Sequence, residues 1–206
     1  VLSPAFAAGL SAGASLIIAI GAQNLFVLRQ GLQQRHVGLV VSLCVLADAG
    51  LIVLGVAGLG LAVQHHAGWL PWLRYAGAAF LSGYGGLALW RAWRGEAGLK
   101  ATATGIEQGW RRVALTCLGF TLLNPHVYLD TVILLGSLST RFAGSGRWWF
   151  AAGAATASLL WFVALGYGAR VLLPVFRSPL AWRWLDGLVA LLMFGLALFL
   201  LLRPVA

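Results

Sequence analysis

Val37-Gly-Leu-Val-Val-Ser-Leu-Cys44-Val-Leu-Ala-Asp48-Ala-Gly-Leu-Ile-Val-Leu-Gly-Val-Ala-Gly-Leu-Gly-Leu-Ala-Val63 holds a single charged residue. As a helix, about 20 such residues cover a hydrocarbon core roughly 30 Å thick. The run therefore reads as a transmembrane helix. Asp48 lies about eleven residues in, near 16 Å from the start at about 1.5 Å per residue, which is close to mid-membrane. A charge there costs about 2.5–3.5 kcal/mol even on the lenient insertion scale. A carboxylate kept at that cost is a candidate functional group. The plainer reading is a structural ion pair with an arginine of a neighbouring helix.

The rest of the 206-residue chain repeats this character. It is 61% hydrophobic and 9% charged with a mean hydropathy of +0.89, which leaves too little polar surface to coat a soluble globule. A soluble domain is excluded. The net charge of +9 comes from basic residues placed singly at the ends of apolar runs. Such residues suit anionic lipid headgroups at the cytoplasmic face, and no nucleic-acid partner is expected. Val1-Leu-Ser-Pro4 offers no basic region ahead of an apolar stretch, so no removable signal peptide is expected. Cys44 and Cys117 both fall inside apolar runs and read as packing residues.

Clusters of Arg, His, Pro and Gly divide the chain into six candidate spans, near residues 5–28, 37–63, 72–92, 113–138, 148–173 and 183–202. The fold class is an all-α integral membrane bundle, a single transmembrane domain over 1–206. If six spans alternate, Arg29, Arg35, Arg91, Arg94, Lys100, Arg111, Arg112, Arg170, Arg177 and Arg183 share one side, and Arg74, Arg141, Arg147 and Arg203 the other. The positive-inside rule then makes the loop of about 93–112 cytoplasmic and puts both termini outside.

An internal echo divides the chain into halves of about 1–93 and 113–206. Tyr75-Ala-Gly77 with Gly86-Leu-Ala-Leu-Trp90 matches Leu185-Asp-Gly187 with Gly195-Leu-Ala-Leu-Phe199, and Asn24 matches Asn124. Three spans per half is odd, so the halves must be inverted relative to each other, as in many secondary transporters. Gly9-x-x-x-Gly13 and Ser82-x-x-x-Gly86 place small residues on one helix face, suited to close packing within a subunit or between copies of a homo-oligomer.

Asn124-Pro125 falls inside the fourth apolar run. Proline removes a backbone donor and clashes with the preceding turn, while Asn before Pro suits an N-cap and first helical position. The fourth helix is expected to break at Asn124-Pro125 and restart. A restart within the membrane aims N–H groups and partial positive charge at a cavity, where a carboxylate can bind. Tyr128 stands one turn on and can share the face of Asn124. Asp130 falls in the outer half of that span. Gly21-Ala-Gln-Asn24 makes a comparable polar interruption late in the first run, and Arg29 reads as a snorkelling interfacial anchor. Asp186, Glu96 and Glu107 sit at helix ends or in the long loop and are set aside.

Of the histidines only His126 lies in a span, so neither a haem nor another metal site is expected, nor any cofactor. An intramembrane protease would have to use Ser15 and His126, with no supporting motif.

Gly21-Ala-Gln-Asn24-Leu-Phe-Val-Leu-Arg29-Gln-Gly31, Cys44-Val-Leu-Ala-Asp48-Ala-Gly50, Gly77-Ala-Ala-Phe-Leu81 and Asn124-Pro-His-Val-Tyr-Leu-Asp130 together closely resemble the LysE/ArgO family of basic amino-acid exporters, in order along the whole chain. Related exporters of neutral amino acids typically carry a Pro-Gly-Pro-like element where this chain has Gly21-Ala-Gln23, so the resemblance favours the lysine and arginine branch. It implies efflux of L-arginine or L-lysine across a bacterial inner membrane by a multi-pass secondary transporter that is not an enzyme. Asn24, Asp48, Asn124 and Asp130 match the family's polar motif positions.

The residues suggest a division of labour. The restarted helix after Asn124 is expected to hold the substrate carboxylate, with Tyr128 beside it, while Asp48 and Asp130 face the cationic groups. Moving one positive charge out of an inside-negative cell costs about 2.3 kcal/mol per 100 mV. A carboxylate that takes either a proton or the substrate cation would cancel that charge, so Asp48, with Asp130, is expected to couple export to protons. An exporter of another small solute is the alternative, with a membrane enzyme or scaffold third.

Overall fold

A computed structural model describes residues 3–18, 21–59, 70–94 and 109–202. Within them every regular element is helical. Helix α1 is Pro4–Ile17, α2 Ala22–Gln33, and α3 Val37–Leu54, which runs on into a wider turn at Gly55–Leu59. Helix α4 is Leu70–Arg94 and α5 Trp110–Leu122. Helix α6 spans Pro125–Ser139, α7 Gly146–Gly168 with a tight extension to Leu172, and α8 Pro179–Leu202. Glu96, Lys100, Glu107, His65, His66 and most of the loop expected over 93–112 lie outside the described residues.

Three helices are long and apolar enough to cross a membrane: α3 with its extension, α7 with its extension, and α8. The pairs α1 with α2 and α5 with α6 pass the same test when each is taken as one span, bent by 83° and 60°. Helix α4 has 25 residues, about 37 Å at about 1.5 Å per residue, which is long enough to cross. Its Arg, Tyr, Trp and Gly content lowers its hydropathy below that of the others. The bundle's outer surface is apolar, with Leu46 69% and Leu191 70% exposed, as lipid contact requires.

Close packing rests on small residues. Helix α1 starts with Ser3 Oγ accepting from the Phe6 N–H (3.2 Å) and Pro4 in the first turn. It then lies along α7. A Cβ on Gly9 would stand 1.9 Å from the Phe150 carbonyl oxygen, and one on Gly153 would stand 2.1 Å from that of Phe6. Gly13 faces Ala154 in the same seam. The Gly9-x-x-x-Gly13 face therefore packs within the subunit. Gly86 meets nothing within 4 Å. Helix α4 lies along α8, and α3 packs on α7. Cys44 on α3 and Cys117 on α5 are buried with their sulfurs 3.4 Å apart as free thiols, which matches the packing role expected of them.

Candidate functional site

Both bent spans are held at their breaks by side chains. The fourth run breaks where Asn124-Pro125 predicts: Asn124 is extended, its Oδ1 accepts from the His126 N–H (3.1 Å), and Pro125 opens the next turn. Tyr128 reaches back over the break, its hydroxyl donating to the Leu122 carbonyl at 2.9 Å. The first run, read as continuous over 5–28, is two helices. Asn24 Nδ2 donates back to the Ile17 carbonyl at 2.9 Å, and its Oδ1 accepts from Trp161 Nε1 at 3.3 Å. The polar stretch Gly21–Asn24 is the start of the second of these helices, with Gly21 extended ahead of it, and the signal for the break is that Gly-Ala-Gln-Asn run itself.

The two breaks meet at a hollow of about 160 Å³. Gly21 and Ala22 reach it from the first break, Leu123, Asn124 and His126 from the fourth run, Gly77, Phe80 and Leu81 from α4, and Leu196, Phe199 and Leu200 from α8. Phe80 and Phe120 in its wall belong to an aromatic cluster with Phe26 and Tyr84, with ring centroids 4.9–6.2 Å apart. A larger hollow of about 440 Å³ lies between the α3 extension and the later part of α6. It contains none of the polar motif residues, and its Ser137, Ser139 and Thr140 hydroxyls donate back into their own helix.

Helix ends around the smaller hollow differ. The first N–H groups of α6 are already taken: that of His126 by the Asn124 side chain and that of Val127 by the Asn124 carbonyl at 3.2 Å. Helix α2 begins at extended Gly21 with no side-chain cap, and that end lines the hollow. The anion-binding end expected after Asn124 is therefore self-capped, and the open one belongs to the first break. Which one stays open depends on where the Asn side chain turns.

The two aspartates stand apart from the hollow. Asp48 is buried on α3 and accepts from Ser158 Oγ of α7 at 2.8 Å, and among the described residues no arginine pairs with it. Asp130 lies on the exposed side of α6, one turn from His126. Neither lines the hollow. Among the described residues no group of three His, Cys, Asp or Glu side chains could hold a metal ion.

The family model described as "LysE type translocator" matches residues 14–203, spanning both breaks and the hollow between them. The chain belongs to this LysE type translocator family. Relatives named "Putative amino-acid transporter" in Mycobacterium bovis and Mycobacterium tuberculosis are each 46% identical over 187 residues, 91% of this chain and 92% of theirs. No solved structure matches the chain.

One feature of this LysE type translocator corrects the sequence reading. Arg29, expected to snorkel at the interface, is 6% exposed and forms an ion pair with Asp186 of α8, which was set aside as a helix-end residue and is fully buried. Arg91 of α4 donates from Nε to the same Asp186 Oδ1 at 3.4 Å. A helix-end arginine can turn outward to headgroups or inward to a carboxylate, and only the packing of α2 against α8 selects the second. The sequence signal is the position of Asp186 as the one acidic residue of the final run.

Proposed function

We propose that this translocator is a secondary transporter that exports L-arginine or L-lysine from the cytoplasm of a bacterial cell across its inner membrane, in exchange for protons. The observation that carries the coupling is Asp48: a buried carboxylate inside a strongly apolar span, partnered among the described residues by a neutral hydroxyl and no cation. A carboxylate so placed can alternate between a proton and a substrate cation without breaking a salt bridge first. Family membership and the names of the mycobacterial relatives support amino-acid transport, and the Gly21–Asn24 motif supports the basic branch.

Six spans in two inverted halves fit the pattern of neighbours. Exchanging the first three spans for the last three maps α4 beside α8 and α3 beside α7 onto themselves. It maps α1 and α2 on α7 onto α5 and α6 on α3, and all of these contacts are present. The two breaks then occupy equivalent places, as in transporters whose substrates bind between discontinuous helices. In this reading the uncapped first turn of α2 takes the substrate carboxylate at the hollow, beside Asn124. Asn24 and Tyr128 hold the two breaks in shape. Asp48 and Asp130 act on the cationic groups along the path.

A second reading is export of a neutral amino acid, favoured by the apolar and aromatic wall of the hollow, which has no acidic residue among the described residues. One experiment separates them. Proteoliposomes holding the full chain are loaded with labelled arginine, lysine or leucine and then given an acidic exterior. Release of arginine or lysine that accelerates with the proton gradient is the expected result. Release of leucine alone selects the second reading, and release of none of them overturns transport of this kind.

A further inference from the structure

Three of the helices that line the hollow, α2, α4 and α8, also meet at a second point. Along α2, Arg29 lies seven residues beyond Ala22, about 10 Å, and along α4 and α8 Arg91 and Asp186 lie ten residues from Leu81 and Leu196, about 15 Å. There Asp186 Oδ1 binds both guanidinium groups. An aromatic wall connects the two places: Phe120 lines the hollow, Tyr84 stands edge-on to it at 4.9 Å, and the Arg91 guanidinium lies over the Tyr84 ring at 5.6 Å. The cluster therefore stands at one end of an aromatic row whose other end lines the hollow.

The cluster is not a balanced structural pair. Two arginines share one carboxylate, and Arg91 Nη2 and Asp186 Oδ2 are both buried without a hydrogen-bond partner among the described residues. Buried polar atoms are almost always satisfied, so two orphans of opposite character in one cluster call for an occupant. One is a guanidinium donor, fit for a carboxylate. The other is a carboxylate acceptor, fit for an ammonium.

We infer that Arg91 and Asp186, with Arg29 as the displaceable third member, form a recognition site for the head group of an α-amino acid at this end of the aromatic row. The inference rests on the amino-acid transport reading and adds a substrate class defined by two charges at once. The α-carboxylate takes Arg91, the α-ammonium takes Asp186, and Arg29 is thereby released from Asp186. Helix α2 carries Arg29 and begins at the first break, so its release frees α2 to swing about Gly21 and open the path to the hollow. A simple amine or a simple carboxylic acid satisfies one partner and leaves the other buried and unpaired, so it does not open the cluster.

The test uses the purified full chain and reads binding by thermal stabilisation, with L-arginine and L-leucine as probes beside their amides, which lack the carboxylate, and their des-amino acids, which lack the ammonium. Wild type is expected to bind an amino acid about ten- to hundredfold more tightly than its amide, the range of one charged hydrogen bond. Arg91→Gln is expected to erase that ratio by weakening the amino acid and leaving the amide unchanged, with Arg91→Lys restoring part of it. Asp186→Asn is expected to erase the ratio against the des-amino acid. Should Asp186→Asn fail to fold, Arg91→Gln decides alone. A wild type that treats amino acid and amide alike, or an Arg91→Gln that weakens both equally, overturns the site. Binding with the expected ratios but no flux in proteoliposomes overturns transport and leaves the site standing.

Discussion

Asn24 and Tyr128 perform the same task in different halves of the chain: each sends a side-chain donor back across a helix break to the carbonyl that the break leaves open, Ile17 for Asn24 and Leu122 for Tyr128, both at 2.9 Å. Within a membrane no water stands ready to satisfy those carbonyls, so the side chain is part of the backbone's hydrogen bonding. Tyr128→Phe, which removes the hydroxyl and little else, is expected to cost about 1 kcal/mol. Asn24→Ala loses at least the bonds to Ile17 and Trp161 and is expected to cost more. Thermal unfolding in detergent ranks them, and an Asn24→Ala chain as stable as wild type would show that the first break is held by other means.

Asp48 permits a separation of charge from shape. Asn at this position keeps an oxygen to accept from Ser158 Oγ, so Asp48→Asn is expected to fold with little change in melting temperature. It cannot alternate between a proton and a cation, so export driven by a pH gradient is expected to vanish. Proteoliposome flux with and without the gradient measures this. Gradient-driven export at the wild-type rate would remove Asp48 from the coupling.

Glycines that look alike in sequence are expected to respond in opposite ways. Gly9→Ala places a methyl 1.9 Å from a backbone oxygen of α7, so α1 must move away. Its cost should reach the range of about 1–3 kcal/mol for overpacking or exceed it. Gly86 meets nothing, and Gly86→Ala within α4 is expected to gain roughly 0.5–1 kcal/mol from helix propensity. Melting temperatures of the two single variants check both signs.

Ala22 lines the hollow and is buried against it. Ala22→Leu directs three more carbons toward a space of about 160 Å³ at the uncapped end of α2. The variant is expected to fold, to lose transport and to keep the stabilisation by amino acid that Arg91 and Asp186 provide. Retention of transport in Ala22→Leu would move the central binding place elsewhere.

Much of this architecture is legible in the sequence because its causes are local. Hydropathy alone marks the membrane class and the apolar runs, since a helix in lipid must present apolar side chains whatever its neighbours. The break at Asn124-Pro125 follows from a missing N–H and a capping side chain, both properties of two adjacent residues. The burial of Asp48 follows from its place in the middle of one run.

Other features depend on partners distant in the chain. Arg29 and Asp186 are 157 residues apart, and each alone reads as an ordinary helix-end charge. Only the convergence of α2, α4 and α8 puts two arginines on one carboxylate. The hollow likewise takes walls from four helical segments, and no segment announces which of its apolar residues will face a void. Composition and periodicity settled that this chain folds as helices in lipid, because that requirement acts residue by residue. The tertiary structure decided which charges meet and which helix end stays open, because a side chain's direction is fixed by the helix packed against it.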